Sequence, residues 1–183
     1  MDQAIVERAR GGDREAFAHL VGQVSDSLFA VAYRILRETG AAEDALQNAL
    51  IATWQQLPKL RDASLFEAWS QRILVRACYA EYGRRRRFAS IVRVIDINGS
   101  STSDDSRILA DRDELDRAFR QIPIDHRAVF VLHHYVGLPL VEIAETLGIP
   151  AGTARSRLHS ATQALRKVMA AGALRTLEEG RLA

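Results

Sequence analysis

Apolar residues recur along this chain at intervals of three and four almost everywhere, the spacing that lines one face of a helix. Strand-like alternation is nearly absent, with Ile91 to Ile97 the one stretch that resembles it, and there are only four prolines. The pattern predicts an all-α fold, with helices over about 2–10, 13–37, 41–57, 64–87, 109–121, 124–136, 140–147 and 151–171. Between the fourth and fifth of these, the run Asn98-Gly99-Ser100-Ser101-Thr102-Ser103-Asp104-Asp105-Ser106 is too polar to bury a core of its own. Two small helical domains are therefore expected, over 1–90 and 108–175, followed by a tail over 176–183. A flexible linker over 91–107 joins them, averaging roughly 25 Å end to end and able to stretch to roughly 65 Å.

In the second domain, Leu140, Ile143, Ala144 and Leu147 make one apolar face of a two-turn helix. Gly148 then offers a position where the chain turns with positive φ, and Ile149-Pro150 leads into a longer helix buried through Ala154, Leu158, Ala161, Leu165 and Val168. Short helix, glycine turn and longer helix form the pattern of a helix-turn-helix, although a plain helical hairpin shares its periodicity. The outward face separates the two readings. Arg155, Ser156, His159 and Gln163 project together and carry donors and acceptors suited to base edges in a major groove. Thr153 at the helix start and Arg157 on its flank suit phosphate, because a helix N-terminus favours an anion.

The first domain offers two further faces. Leu46, Ala49, Leu50, Thr53, Trp54 and Leu57 form an inward stripe, while Asp44, Gln47, Asn48 and Ile51 share the other side, which suits either a partner helix or solvent. In the next helix Phe66, Trp69, Ile73, Ala77 and Ala80 are expected in the core. Arg72, Arg76, Tyr79, Gly83 and Arg86 then lie opposite, and interleaved guanidinium and aromatic groups can hold a phosphate backbone while stacking on unpaired bases. The basic run Arg84-Arg85-Arg86-Arg87 is either a solvated helix end or a phosphate contact.

Composition narrows the function classes. A 183-residue chain that is 48% hydrophobic and 26% charged fits a soluble protein, and its apolar runs are far shorter than a bilayer span, so membrane insertion is not expected and the cytoplasm is. The net charge of +2 is uninformative until its distribution is seen. The single cysteine, Cys78, has no partner for a disulfide or a paired-thiol metal site, and adjacent His133 and His134 point about 100° apart on a helix. No metal site, no cofactor and no catalytic residues are expected: the chain lacks a phosphate-cradling GxxxxGK[ST] loop and a GxSxG elbow.

Taken together, Gly12-Asp13 with Ala16-Phe17 and Leu20, Ala42-Glu43-Asp44-Ala45-Leu46-Gln47 with Trp54, and Phe66 with Trp69 and the arginine run resemble the region-two domain of extracytoplasmic-function sigma factors, the smallest members of the sigma-70 family. Ile122-Pro123, the stretch from Leu138 to Ala144, and Gly152-Thr153-Ala154-Arg155-Ser156-Arg157-Leu158-His159 resemble the same family's region four. The resemblance covers nearly the whole chain. It implies a factor that directs core RNA polymerase to promoter DNA and supports transcription initiation. It implies that Asp44, Gln47, Asn48 and Ile51 meet the clamp of the largest polymerase subunit, and that the opened minus-ten strand meets Arg72, Arg76, Tyr79, Arg84 and Arg86. A flipped base would enter near the loop 58–64, with Lys59, Arg61 and Asp62 as candidates. Thr153, Arg155, Ser156, Arg157 and His159 would take the minus-thirty-five duplex, and the other face of region four the flap of the second subunit. Control by an anti-sigma factor, and an acidic linker threading toward the polymerase cleft, are further implications of the family. Asn48, Ser70, Arg76 and Ser160 depart from residue types common there. A stand-alone helix-turn-helix regulator and an inhibitor built on a similar scaffold are the other readings of the same residues.

Overall fold

The computed structural model describes residues 2–95, 116 and 118–179, and among these every regular element is a helix. The chain divides into two compact units, Met1–Phe88 and Ala89–Ala183.

The first unit opens with α1 (Gln3–Arg10), whose N-cap Asp2 accepts from the Ala4 N–H at 2.9 Å. Gly12, at φ 94°, reverses the chain in a conformation that a side chain would strain. Asp13 then caps α2 (Arg14–Leu36), accepting from the N–H groups of Glu15 and Ala16 at 3.0 Å each. Arg8 reaches the same carboxylate at 3.0 and 2.6 Å. The Ala16 N–H and then the Arg8 guanidinium favour the charged form, so the Asp13 carboxyl lies below the usual carboxylate range.

After Arg37, in the left-handed conformation at φ 60°, α3 (Thr39–Gln56) begins under its N-cap Glu38. Ala41, Ala45 and Ala49 are spaced one turn apart and buried, and these small side chains let α3 pack closely on α2, which contributes Leu20, Val24, Leu28 and Ile35. Two 3-10 turns, Leu57–Lys59 and Ala63–Leu65, lead to α4 (Phe66–Ile95).

Three sequence expectations fail on α4. Its buried residues are Phe66, Ser70, Ile73, Leu74, Val75, Cys78 and Glu81, while Ala80 is exposed and Ala77 half-buried. Two polar residues, Ser70 and Glu81, sit on the core face, so a reading guided by apolar side chains rotated the helix by part of a turn. The stretch 91–95, expected as linker and as the one strand-like segment, continues the helix. The remainder of the expected linker, 96–107, and most of the helix expected at 109–121 lie outside the described residues.

The second unit contains α5 (Ile124–His134), α6 (Leu140–Leu147) and α7 (Ala151–Glu179). Ala118, Ile122, Ala161 and Leu165 form a buried cluster, with Phe119 meeting Phe130 edge to face at 5.6 Å. Leu132, Ile143 and Ala154 are fully buried. Gly148 stands at φ 64°, and the following Ile149 N–H donates to Ala144 O at 3.0 Å, closing the end of α6. α7 continues past the expected end near 171 and takes in 176–179, part of the expected tail. An alanine-rich, proline-free run propagates a helix readily, and the single Gly172 does not stop it.

Candidate nucleic-acid and partner interfaces

α7 is the simplest surface. Ala154, Ala161 and Leu165 hold its inner side in the core, so Arg155, Ser156 and His159 stand exposed on the outer side of the first three turns. Among the described residues, Arg155 and His159 enter no ion pair or hydrogen bond, and Ser156 Oγ donates to Thr153 O at 3.0 Å. Thr153 is half-buried, and its own N–H donates to Pro150 O at 2.9 Å, so it is not one of the open N–H groups of the helix start. Arg157 leans back onto α5, where its guanidinium lies 3.3 Å from the Asp125 carboxylate with the side chain 23% exposed. That pairing braces the helix against its own domain.

On α3, Gln47 and Asn48 are exposed and Ile51 is 50% exposed, a large apolar side chain in a polar setting. Ile51 borders a shallow groove of about 480 Å³ that Arg14, Phe17, Val21, Leu50 and Trp54 complete, with the Phe17 and Trp54 rings 4.8 Å apart. Asp44, the fourth residue of the expected partner face, is half-buried and engaged: its Oδ2 accepts from Arg84 at 3.3 Å and from Arg85 at 3.2 Å.

This contact belongs to a larger network. Glu81 is 2% exposed and divides its two oxygens between neighbours one turn on. Arg84 donates to Oε2 through Nε at 2.9 Å and through a terminal nitrogen at 2.6 Å, while Arg85 Nε donates to Oε1 at 2.6 Å. Arg85 also reaches the carboxylate of Glu38, the group that caps α3. Two guanidiniums thus face three carboxylates, and the first half of the arginine run brings no surplus positive charge. Sequence reading missed Glu81 and Glu38 and took Arg85 only as one member of the basic run; the signal available was Glu81 placed three and four residues before two arginines.

The remaining expected strand contacts are mixed. Arg76 and Arg86 are exposed and Arg72 is half-buried. Tyr79 is half-buried with its hydroxyl shielded from solvent, so it does not stand out as a stacking platform. In the loop 58–64, Lys59 and Arg61 are exposed, whereas Asp62 caps the second 3-10 turn, accepting from Ser64 Oγ at 2.6 Å and Ser64 N–H at 2.9 Å. The Ser64 hydroxyl bond and then its N–H hold the Asp62 carboxyl below its ordinary range. Cys78 is buried, and that burial pushes its thiol up to about 12, which makes it a poor nucleophile.

No helix among the described residues is long and apolar enough to cross a membrane. Among the same residues, no group of three or more His, Cys, Asp or Glu side chains is placed to hold a metal ion.

Comparison with known proteins supplies the family context. Residues 20–88 match the model of sigma-70 region 2, and residues 112–165 match that of sigma-70, region 4. The ECF RNA polymerase sigma factor SigL of Mycobacterium tuberculosis is 34% identical over 143 residues, covering 76% of this chain and 80% of that protein. SigW of Bacillus subtilis, likewise an ECF RNA polymerase sigma factor, is 28% identical over 88% of this chain and 93% of its own. Among solved structures, the sigma factor RpoE of Bartonella quintana, crystallised with the anti-sigma factor NepR, shares the fold with a TM-score of 0.67 at 22% identity, over 84% of this chain and 96% of that one.

Proposed function

This chain belongs to the extracytoplasmic-function sigma factors of the sigma-70 family, and we propose that it works by conditional recognition, each unit engaging promoter DNA only when core RNA polymerase sets the units apart. Its function is to direct polymerase to promoters and support DNA-templated initiation. RNA synthesis is the work of the polymerase. The observation that supports promoter reading is the exposed row Arg155, Ser156 and His159 on a helix seated by a glycine turn.

In this reading region four places the N-terminal turns of α7 in the major groove of the minus-thirty-five element. Arg155 supplies the paired donors that suit a guanine edge, with Ser156 and His159 beside it. Thr153 and Arg157 lie at the margins of that contact, Arg157 acting on the helix as much as on phosphate. Asp44, Gln47, Asn48 and Ile51 dock on the clamp of the largest subunit, and another face of region four meets the flap of the second. Arg72, Arg76, Tyr79, Arg84 and Arg86 then hold the opened minus-ten strand, with Lys59, Arg61 and Asp62 at the loop that receives a flipped base.

The proposed domains are 1–90 and 108–175, with α4 carrying the first on to Ile95 and the rest of 91–107 joining the two. Two promoter elements about two duplex turns apart lie roughly 70 Å from each other, a separation that small helical units match only when a larger scaffold spaces them. The proposed setting is the cytoplasm, with an anti-sigma factor as regulator, in keeping with the complex of the Bartonella relative.

Run-off transcription by core polymerase over a library of promoter fragments tests the function. Products that appear only when this protein is added are expected. Duplex binding by the protein alone without any run-off product would favour a stand-alone regulator.

A further inference from the structure

The contact of Asp44 with Arg84, and with Arg85 beside it, joins surfaces that the proposed mechanism gives to different partners, polymerase on α3 and the DNA strand on α4. We propose that Asp44 is a shared anion: in the free protein it holds Arg84 and Arg85, and when polymerase takes it over, the two guanidiniums become available to the phosphate backbone. Glu81 is the positioning residue of this device. Nearly fully buried, with one oxygen on each arginine, it keeps both guanidiniums beside Asp44 and stays with them when Asp44 is withdrawn.

Charge decides the direction. With Asp44 counted, three carboxylates oppose two guanidiniums and the cluster repels a phosphate. Once a polymerase cation neutralises Asp44, two carboxylates oppose two guanidiniums and that repulsion falls away. Linkage makes the coupling reciprocal, since whatever releases the arginines for DNA also releases Asp44 for polymerase. Arg84 and Arg85 are 58% and 44% exposed and Asp44 is 44% exposed, so each contact is a weak surface pair that a partner can replace.

This inference rests on the reading of α3 and α4 given above, and its test separates the two. The full-length protein, without polymerase, is titrated against a fluorescent single-stranded oligonucleotide, comparing wild type with Asp44→Asn. Binding about threefold to tenfold tighter is expected for Asp44→Asn at low salt, as befits the loss of two exposed pairs, with the difference fading near about 0.5 M salt. Adding Arg84→Gln and Arg85→Gln to Asp44→Asn should abolish the gain. Glu43→Gln changes net charge equally at an exposed neighbouring position and should give a smaller gain. Equal affinity of Asp44→Asn and wild type, undetectable binding by both, an equal gain from Glu43→Gln, or a gain that survives loss of both arginines would each overturn the shared-anion device. If run-off transcription by the wild-type protein with core polymerase is intact in the same preparation, the proposed function stands and only the device has failed.

Discussion

Two sets of cations on the helices expected to face DNA stand in opposite states, Arg155 on α7 and the pair Arg84 and Arg85 on α4, whereas Arg76 and Arg86 of α4 are exposed. On α7, Arg155 projects into solvent with no ion pair among the described residues, on a helix whose other side is fixed by Ala154, Ala161 and Leu165. On α4, Arg84 and Arg85 are taken up by Glu81, Asp44 and Glu38, and Tyr79 keeps its hydroxyl out of solvent. Closed duplex is read by a rigid helix with side chains already extended, since the major groove is wide enough to admit it, but one paired-donor contact is worth only about 1–3 kcal/mol, too little for one small unit to hold a promoter alone. Holding a melted strand matters only after polymerase has engaged, so neutralising Arg84 and Arg85 beforehand lowers nonspecific attraction to DNA. The contrast offers a physical basis for recognition that waits on polymerase.

The difference can be broken or sharpened by mutation. The largest expected effect comes from removing the scaffold of the α7 surface: Ile143→Ala, at a fully buried position, should destabilise the second unit by about 2–4 kcal/mol, read as a lowered melting temperature. Arg155→Ala should leave stability nearly unchanged and weaken minus-thirty-five discrimination by about 1–3 kcal/mol, read in polymerase-dependent binding to promoters with single base changes. Arg157→Ala removes a 3.3 Å pair at a partly exposed site, so its effect on stability should stay below about 1 kcal/mol, and its effect on binding should be the same for every promoter sequence.

The smallest effect is one of pH. Because the Asp13 carboxyl is depressed in the folded protein, its contribution is fully present above the ordinary carboxylate range and is lost as pH falls through the folded value. Stability of the first unit should therefore decline below about pH 4, and Asp13→Asn should flatten that part of the profile in chemical denaturation.

Much of the fold was legible in the sequence, and the reasons are local. Gly148 in its left-handed turn and the limits of α6 follow from spacing and turn chemistry that neighbouring residues decide among themselves, whereas on α3 the buried column of Ala41, Ala45 and Ala49 displaces the expected stripe, of which Leu46, Leu50 and Trp54 are half-buried. What failed depended on distant partners. Ser70 and Glu81 are buried because α4 packs with them inward, and no apolar periodicity announces a buried carboxylate whose charge two arginines satisfy. For the same reason a run of four arginines reads from sequence as one basic patch, whereas its first two members are neutralised in part by Asp44 and Glu38, some forty residues earlier. The pairing of Arg157 with Asp125 is likewise invisible from its own helix, because it depends on where α5 lies. Helix α7 outran its expected end because composition sets where a helix can stop but does not oblige it to stop there.

In the proposed mechanism, promoter recognition by this protein depends on polymerase. Fluorescence anisotropy on one labelled promoter duplex carrying both elements, at a fixed salt concentration, compares the protein alone with the same protein saturated with core enzyme. Weak, sequence-indifferent binding by the free protein and tight, sequence-dependent binding by the complex are expected. Equally tight and equally selective binding by the protein alone would contradict the account.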